Sequence, residues 1–210
     1  RMTNAYKAWN NVWLSETKHD WKDADPFVTR AIPIFNQKKY KKILDVGCGI
    51  GRHSLLFEQC GFKTTALDGS QAALDYVKTQ NKNIKTIKAN YVNLPLKDNE
   101  FDAVLAFQTI HHGDALSIMQ AVKEIYRVLK PKGTFFGTVL SKKHEEFGKG
   151  KVVDVNTYIR DKGLDPGHPH TYANAEDLVN LLVDFDINYM KDAEIKPKRH
   201  HWFFCAEAIK

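Results

Sequence analysis

Apolar residues in this chain fall into short runs separated by amphipathic stretches, and that alternation predicts strands and helices following one another. Lys42-Ile43-Leu44-Asp45-Val46 reads as a buried strand that ends in Gly47-Cys48-Gly49-Ile50-Gly51, with a helix over His53–Cys60. Lys63–Leu67 is a second strand, and Ser70 is placed to cap a helix over Gln71–Thr79. Ile84–Lys88 is a short third strand with Asn90–Leu96 as its exit loop, and Phe101–Phe107 is the fourth. Leu116, Met119, Val122, Lys123, Tyr126 and Leu129 share one helical face. Pro131-Lys132-Gly133 stops that helix, and Thr134–Leu140 is the fifth strand.

The two ends depart from this rhythm. Upstream, Tyr6–Leu14 places Ala8, Trp9, Val12 and Trp13 at helical spacing, and Phe27–Phe35 reads as a helix despite Pro33. This segment, about 3–36, is either a cap on the sheet edge or a lid that excludes water from a site. Downstream, Ser141–His170 has no clear period, so a mobile or substrate-shaping insertion is expected over about 141–172, with Val152–Ile159 as a short strand or helix inside it. Asn174 can cap a helix over Ala175–Val183, with Asp177 three residues on. Ile187–Met190 and His201–Ile209 have no helix between them and therefore close as an antiparallel hairpin. The expected fold is one α/β domain over 1–210. It has a Rossmann-like, seven-stranded, mostly parallel sheet, helices on both faces and a C-terminal antiparallel hairpin.

The glycine turn narrows the chemistry. Its pattern is Gly-x-Gly-x-Gly, and Arg52 stands where a dinucleotide fingerprint wants its last glycine. Free amides at the start of the next helix favour a carboxylate or phosphate. Asp68 ends the second strand, where an acid can accept hydrogen bonds from both hydroxyls of a ribose. The two marks together indicate a nucleoside, not a pyrophosphate.

Charge and cysteines exclude several classes. The 31 basic residues exceed the 25 acidic ones by only six, and they are scattered without an arginine-rich stripe or interleaved aromatics, so no nucleic-acid partner is expected. Cys48, Cys60 and Cys205 form neither a metal cluster nor a disulfide framework, which favours a reducing, cytoplasmic location. No signal peptide is visible, and no apolar run is long enough to span a bilayer.

Four stretches, taken in order, resemble the class I methyltransferases that use S-adenosylmethionine. They are Ile43 to Arg52, Ala66-Leu67-Asp68-Gly69-Ser70, Asn93 to Asp102 and Ile125 to Gly133. The branch most similar is the small-molecule one related to ubiquinone/menaquinone-biosynthesis and tellurite-resistance methyltransferases. The resemblance implies S-adenosyl-L-methionine as methyl donor, S-adenosyl-L-homocysteine as product and a small-molecule acceptor. It implies that Asp45, Gly47, Cys48, Gly49 and Gly51 surround the methionyl end, that Asp68 holds the ribose, and that Gly69 and Ser70 pack beside the adenosine. Asn90 stands where many relatives have an aspartate on the adenine amine, Tyr91 offers its backbone amide to the ring, and Gln108 borders the methionyl group.

A sulfonium donor needs no metal, so the protein must align the acceptor, exclude water and, for a hydroxyl or acidic carbon, remove a proton. His112 and His111 follow the fourth strand, where an acceptor would meet the methyl group, and they are the candidate catalytic residues. Tyr6, Trp9, Trp13, His168, His170 and Tyr172 are the candidate substrate-binding residues. Six histidines could converge, but their spacing matches no established ligand pattern, and no metal is expected. A protein or RNA methyltransferase, or a binding module without turnover, remains the alternative.

Overall fold

The computed structural model describes residues 5–15 and 21–210, the side chains of Ala5 and Tyr6 excepted. Two helices, α1 (Ala5–Leu14) and α2 (Pro26–Gln37), lead into β1 (Lys42–Val46), α3 (Arg52–Gln59), β2 (Lys63–Asp68), α4 (Gln71–Gln80) and β3 (Lys85–Lys88). Then come β4 (Phe101–Ala106), α5 (Ala115–Val128), β5 (Leu129–Ser141), β6 (Lys151–Asp154), β7 (Thr157–Ile159) and β8 (Pro169–Ala173). α6 (Ala175–Leu181), β9 (Phe185–Lys196) and β10 (Arg199–Ala208) complete the chain.

The sheet runs β3-β2-β1-β4-β5 with every neighbour parallel. β10 lies antiparallel against β5 and β9 antiparallel against β10, which gives the expected closing hairpin. Both faces are covered, and the strands show it by strict alternation. Leu44, Val104, Phe135 and Phe204 face a core shared with α5 and α6, while Ile43, Ala103, Leu105, Phe136 and Phe203 face α2 and α3. Strand β5 starts at Leu129 rather than Thr134, because its pairing with β4 resumes at once after α5 and a register shift absorbs Pro131-Lys132-Gly133.

The segment after β5, expected to be a mobile or substrate-shaping insertion with a short strand or helix over Val152–Ile159, carries three strands. β10 holds one edge of β5 as far as Leu140, and β4 leaves the other edge after Gly137. Strand β8 pairs with β5 through Leu140 and Ser141, parallel, on the edge that β4 has left. β7 and β6 then extend β8 antiparallel. This placement brings β8 onto the exit loop of β4, where Thr171 N–H donates to the His111 carbonyl at 3.2 Å and Thr171 Oγ1 donates to that of Gly113 at 2.8 Å.

Helix α1 lies over the glycine turn. Trp13 is buried against Ile50 and Ala73 and stacks on Trp9 at 5.6 Å. Asn10 Oδ1 accepts from Ser70 Oγ at 2.9 Å and from Ala72 N–H at 3.1 Å, tying α1 to the first turn of α4. No helix among the described residues is long and apolar enough to cross a membrane.

Candidate active site

The glycine turn is fastened to the end of β2. The N–H groups of Gly47 and Cys48 both donate to the Leu67 carbonyl, at 2.7 and 3.0 Å, and Gly49 N–H donates to Asp68 Oδ2 at 2.9 Å. The other oxygen of Asp68 accepts from Ser70 N–H at 2.8 Å. One carboxylate thus bridges the two turns while each oxygen keeps a lone pair for a ligand. Burial pushes the Asp68 pKa up, against the pull of the Ser70, Gly49 and Gly69 amides. Gly47 is required at its position: its φ is +68°, and a Cβ there would lie 2.2 Å from the Thr109 side chain. Thr109 Oγ1 donates to the Gly47 carbonyl at 3.2 Å, so a residue not singled out from the sequence packs the turn from above.

A cleft of about 370 Å³ opens at this junction. Gly47, Asp68, Gly69, Asn90, Tyr91 and Gln108 line one side of it, Trp9 and Trp13 cover it, and His112, Asp114, Ser117 and His168 form its far end. Asn90 Oδ1 accepts from Val92 N–H at 3.1 Å, which leaves its amide N–H₂ for a ligand. Gln108 adopts φ +54° and receives Arg52 Nη2 on its side-chain oxygen at 3.1 Å. Arg52 in turn lies over the rings of Trp21 and Phe107 at 5.7 and 5.3 Å, beside a smaller hollow lined by Cys48 and Gly49.

Five expected cofactor residues stand off the wall of the main cleft: Cys48 and Gly49 line the smaller hollow, Gly51 faces Val77 of α4, and Asp45 and Ser70 lie beneath the turns. Asp45 is 1% exposed beneath the turn, accepts from Ser54 Oγ at 2.6 Å, and is pushed up to about 6 by burial. Ser70 caps α4 and is held by Asn10, and burial drives the Cys48 thiol well above its usual pKa, so it stays neutral. Tyr6 lies outside the described side chains.

The far end of the cleft is a cluster of imidazoles built by two loops. His112 Nδ1 lies 2.8 Å from Asp165 Oδ2 and 3.0 Å from His170 Nε2, and that nitrogen of His170 is 3.2 Å from the same carboxylate oxygen. His170 Nδ1 donates to the His168 carbonyl at 3.1 Å, and Arg160 Nη2 approaches His170 Nε2 at 2.9 Å. Burial pushes the Asp165 carboxyl up, but the neighbouring His112 and His170 imidazoles more than reverse this and hold it well below the usual carboxylate range. Burial lowers His168 and His170, as does their proximity to His112. The edge of Trp9 closes over His112, ring centroids 5.2 Å apart.

His111 and Tyr172 lie behind this wall rather than on it. His111 is 3% exposed, stacks 4.3 Å behind His112, and is held well below the usual histidine pKa by burial and by His112, His201, His170 and His144. Tyr172 is 1% exposed among Phe147, Tyr158 and His144, and burial pushes its phenol up to about 12. Sequence reasoning missed Asp165 and Arg160. The only signal was Asp165-Pro166-Gly167-His168-Pro169-His170, whose proline and glycine mark a tight turn between an acid and two imidazoles.

Residues 44–137 match the family model described as a methyltransferase domain. An uncharacterized protein of Methanocaldococcus jannaschii is 34% identical over 145 residues, 67% of this chain and 60% of that one. Squalene methyltransferase 1 of Botryococcus braunii is 26% identical over 195 residues, 86% of this chain and 49% of that protein. The chain spans about half to two thirds of the length of the curated relatives it matches. A SAM-dependent methyltransferase structure from Methanosarcina mazei has a TM-score of 0.73 at 19% identity, covering 89% of this chain and 99% of that one. The 1,6-didemethyltoxoflavin-N1-methyltransferase of Burkholderia thailandensis, solved with 1,6-didemethyltoxoflavin and S-adenosylhomocysteine, gives 0.71 at 16% identity, covering 98% and 87%.

Strand order, glycine turn and domain match together define the class I methyltransferase fold. Residues 44–137 are similar to a methyltransferase domain, and the fold is shared with S-adenosylmethionine-dependent methyltransferases of known structure.

Proposed function

We propose that this protein transfers the methyl group of S-adenosylmethionine to a small-molecule acceptor and releases S-adenosylhomocysteine. The observation that carries this reading is the continuous cleft from the Asp68 carboxylate to the His112 imidazole under a tryptophan roof. In it Asp68 accepts hydrogen bonds from the ribose hydroxyls, Gly69, Asn90 and Tyr91 border the adenine, and Gly47 and Gln108 border the methionyl group, with Gly49 in the adjoining hollow and Gly51 shaping the turn against α4. Asp45, Cys48 and Ser70 act from beneath, by holding the turns in place.

The acceptor lies between Trp9, Trp13, His168 and His112. Its lone pair forms the new bond to the methyl carbon while the carbon–sulfur pair returns to sulfur. His112 keeps a proton on Nδ1 for Asp165, so its Nε2 takes the acceptor's proton. His111 backs that ring, and His170 with Tyr172 fixes the strand behind it. The tryptophans keep water from the sulfonium.

A ubiquinone biosynthesis O-methyltransferase of Rickettsia akari, 25% identical over 170 residues, supports placement in the branch that includes quinone biosynthesis. The covered cleft suits a metabolite better than a nucleic acid or protein side chain. Cysteines left as free thiols suit the cytoplasm. Calorimetry with S-adenosylhomocysteine, followed by labelled S-adenosylmethionine and a panel of hydroxyl, carbon-acid, amine and thiol acceptors, tests the proposal. Label in an organic-extractable product is the expected result. Binding without turnover across the panel, with label transferred only to protein or RNA, overturns it.

A further inference from the structure

The far wall of the cleft holds more lone pairs than protons to share among them. Because a carbonyl can only accept, the bond from His170 Nδ1 to His168 fixes the proton there and turns the Nε2 lone pair of the neutral ring into the cluster. That lone pair faces Asp165 Oδ2 at 3.2 Å and His112 Nδ1 at 3.0 Å, and the last two atoms are 2.8 Å apart. One proton on His112 Nδ1 satisfies the carboxylate. None of the three residues then supplies a proton between His170 Nε2 and Asp165 Oδ2, and the only relief is the Arg160 guanidinium at 2.9 Å.

These separations are those of metal ligands. Three donors at right angles around an ion, each at about 2.1 Å, stand about 3 Å from one another. Two imidazoles and one carboxylate on a single face leave the remaining positions of the ion open. The outer shell is in place as well, since a ligating histidine ordinarily donates its second nitrogen to a carbonyl, as His170 does. Asp165 and His170 are 3% and 1% exposed, so the site is rigid, while His112 reaches the cleft wall.

We propose that His112, Asp165 and His170 bind a divalent first-row transition ion at the acceptor end of the cleft, reversing the expectation of no metal drawn from spacing. Arg160 is its competitor. Its charge lies beside the ligands, its Nε has no hydrogen-bond partner, and Glu146 stands 4.0 Å from its Nη1 as an alternative partner. An ion on His112 Nδ1 leaves that ring's proton on Nε2, so the ion-bound form presents a donor to the cleft and cannot take the acceptor's proton. The site itself stands on the wall geometry and does not rest on the methyl-transfer reading.

The test uses full-length protein stripped with a chelator and titrated with Zn²⁺ by calorimetry and with Co²⁺ by visible absorption. One ion per chain and ligand-field bands of bound Co²⁺ are expected, with both lost in Asp165→Asn and in His170→Ala. Retained S-adenosylhomocysteine binding in those variants shows that the chain is folded. Arg160→Met should tighten Zn²⁺ binding by about tenfold, or about 1.4 kcal/mol. Absence of heat and bands in the wild type, or unchanged Co²⁺ spectra in His170→Ala, overturns the proposal.

Discussion

The two ends of the cleft are built in different ways. At the Asp68 end, a turn and an acid from adjacent strands β1 and β2 are joined by backbone amides, with Gly47, Cys48 and Gly49 all donating to Leu67 or Asp68. At the His112 end, three ligand-type side chains converge from the β4 exit loop, the loop before β8 and β8 itself, through the short pairing of β8 with β5. The first end is therefore a property of the backbone. The second is a property of side chains, and under the proposed function it is where one acceptor would be told from another.

That division can be tested by changing each end separately. His112→Ala carries the largest expected effect, a fall in turnover of about 10²- to 10⁴-fold for an acceptor that must lose a proton, with S-adenosylhomocysteine affinity nearly unchanged. Steady-state kinetics beside calorimetry reads both, and equal losses in the two would mean that the ends are one unit. Asp68→Ala should show the opposite pattern, weakening the product complex roughly hundredfold, about 2.7 kcal/mol. Full affinity in that variant removes the acid from the ribose.

Gly47→Ala tests the backbone character of the first end. Added strain at positive φ and the clash with Thr109 should destabilise the fold by about 2–3 kcal/mol in urea titration. A neutral result would mean that the turn adapts freely.

Asp45→Asn should have the smallest effect, and its sign depends on pH. Its folded pKa of about 6 lies above the unfolded 3.8, so the native state binds the proton more tightly. Stability from this group is full below about pH 4 and is lost as pH rises through about 6. An amide that still accepts from Ser54 removes this slope. The variant should therefore gain on the wild type between pH 4 and 7, by on the order of 1–3 kcal/mol.

What the sequence disclosed follows the same division. The β1 turn and the carboxylate that ends β2 were legible as local structure because each mark is a hydrophobic run followed at once by the residues that end it. The acceptor wall was not. All four residues of β6 are exposed and β7 has three residues, so neither leaves a period to read. Asp165 meets His112 across 53 positions, a pairing set by which edge of β5 is vacant. Spacing alone placed His168 and His170 near a site, but it carried no information on which nitrogen would face which oxygen.

Asn10 gives the roof its mechanical character. The amide that anchors α1 reaches Ser70, the cap of α4 two residues after Asp68, and the first turn of that helix, through two hydrogen bonds of roughly 1 kcal/mol each. Lifting α1 exposes those groups to water at the mouth and leaves every strand pairing intact. Trp13 would have to leave Ile50 and Ala73 with it, so the buried ring, more than the two hydrogen bonds, holds the covering helix down over a sheet whose own pairing does not depend on it.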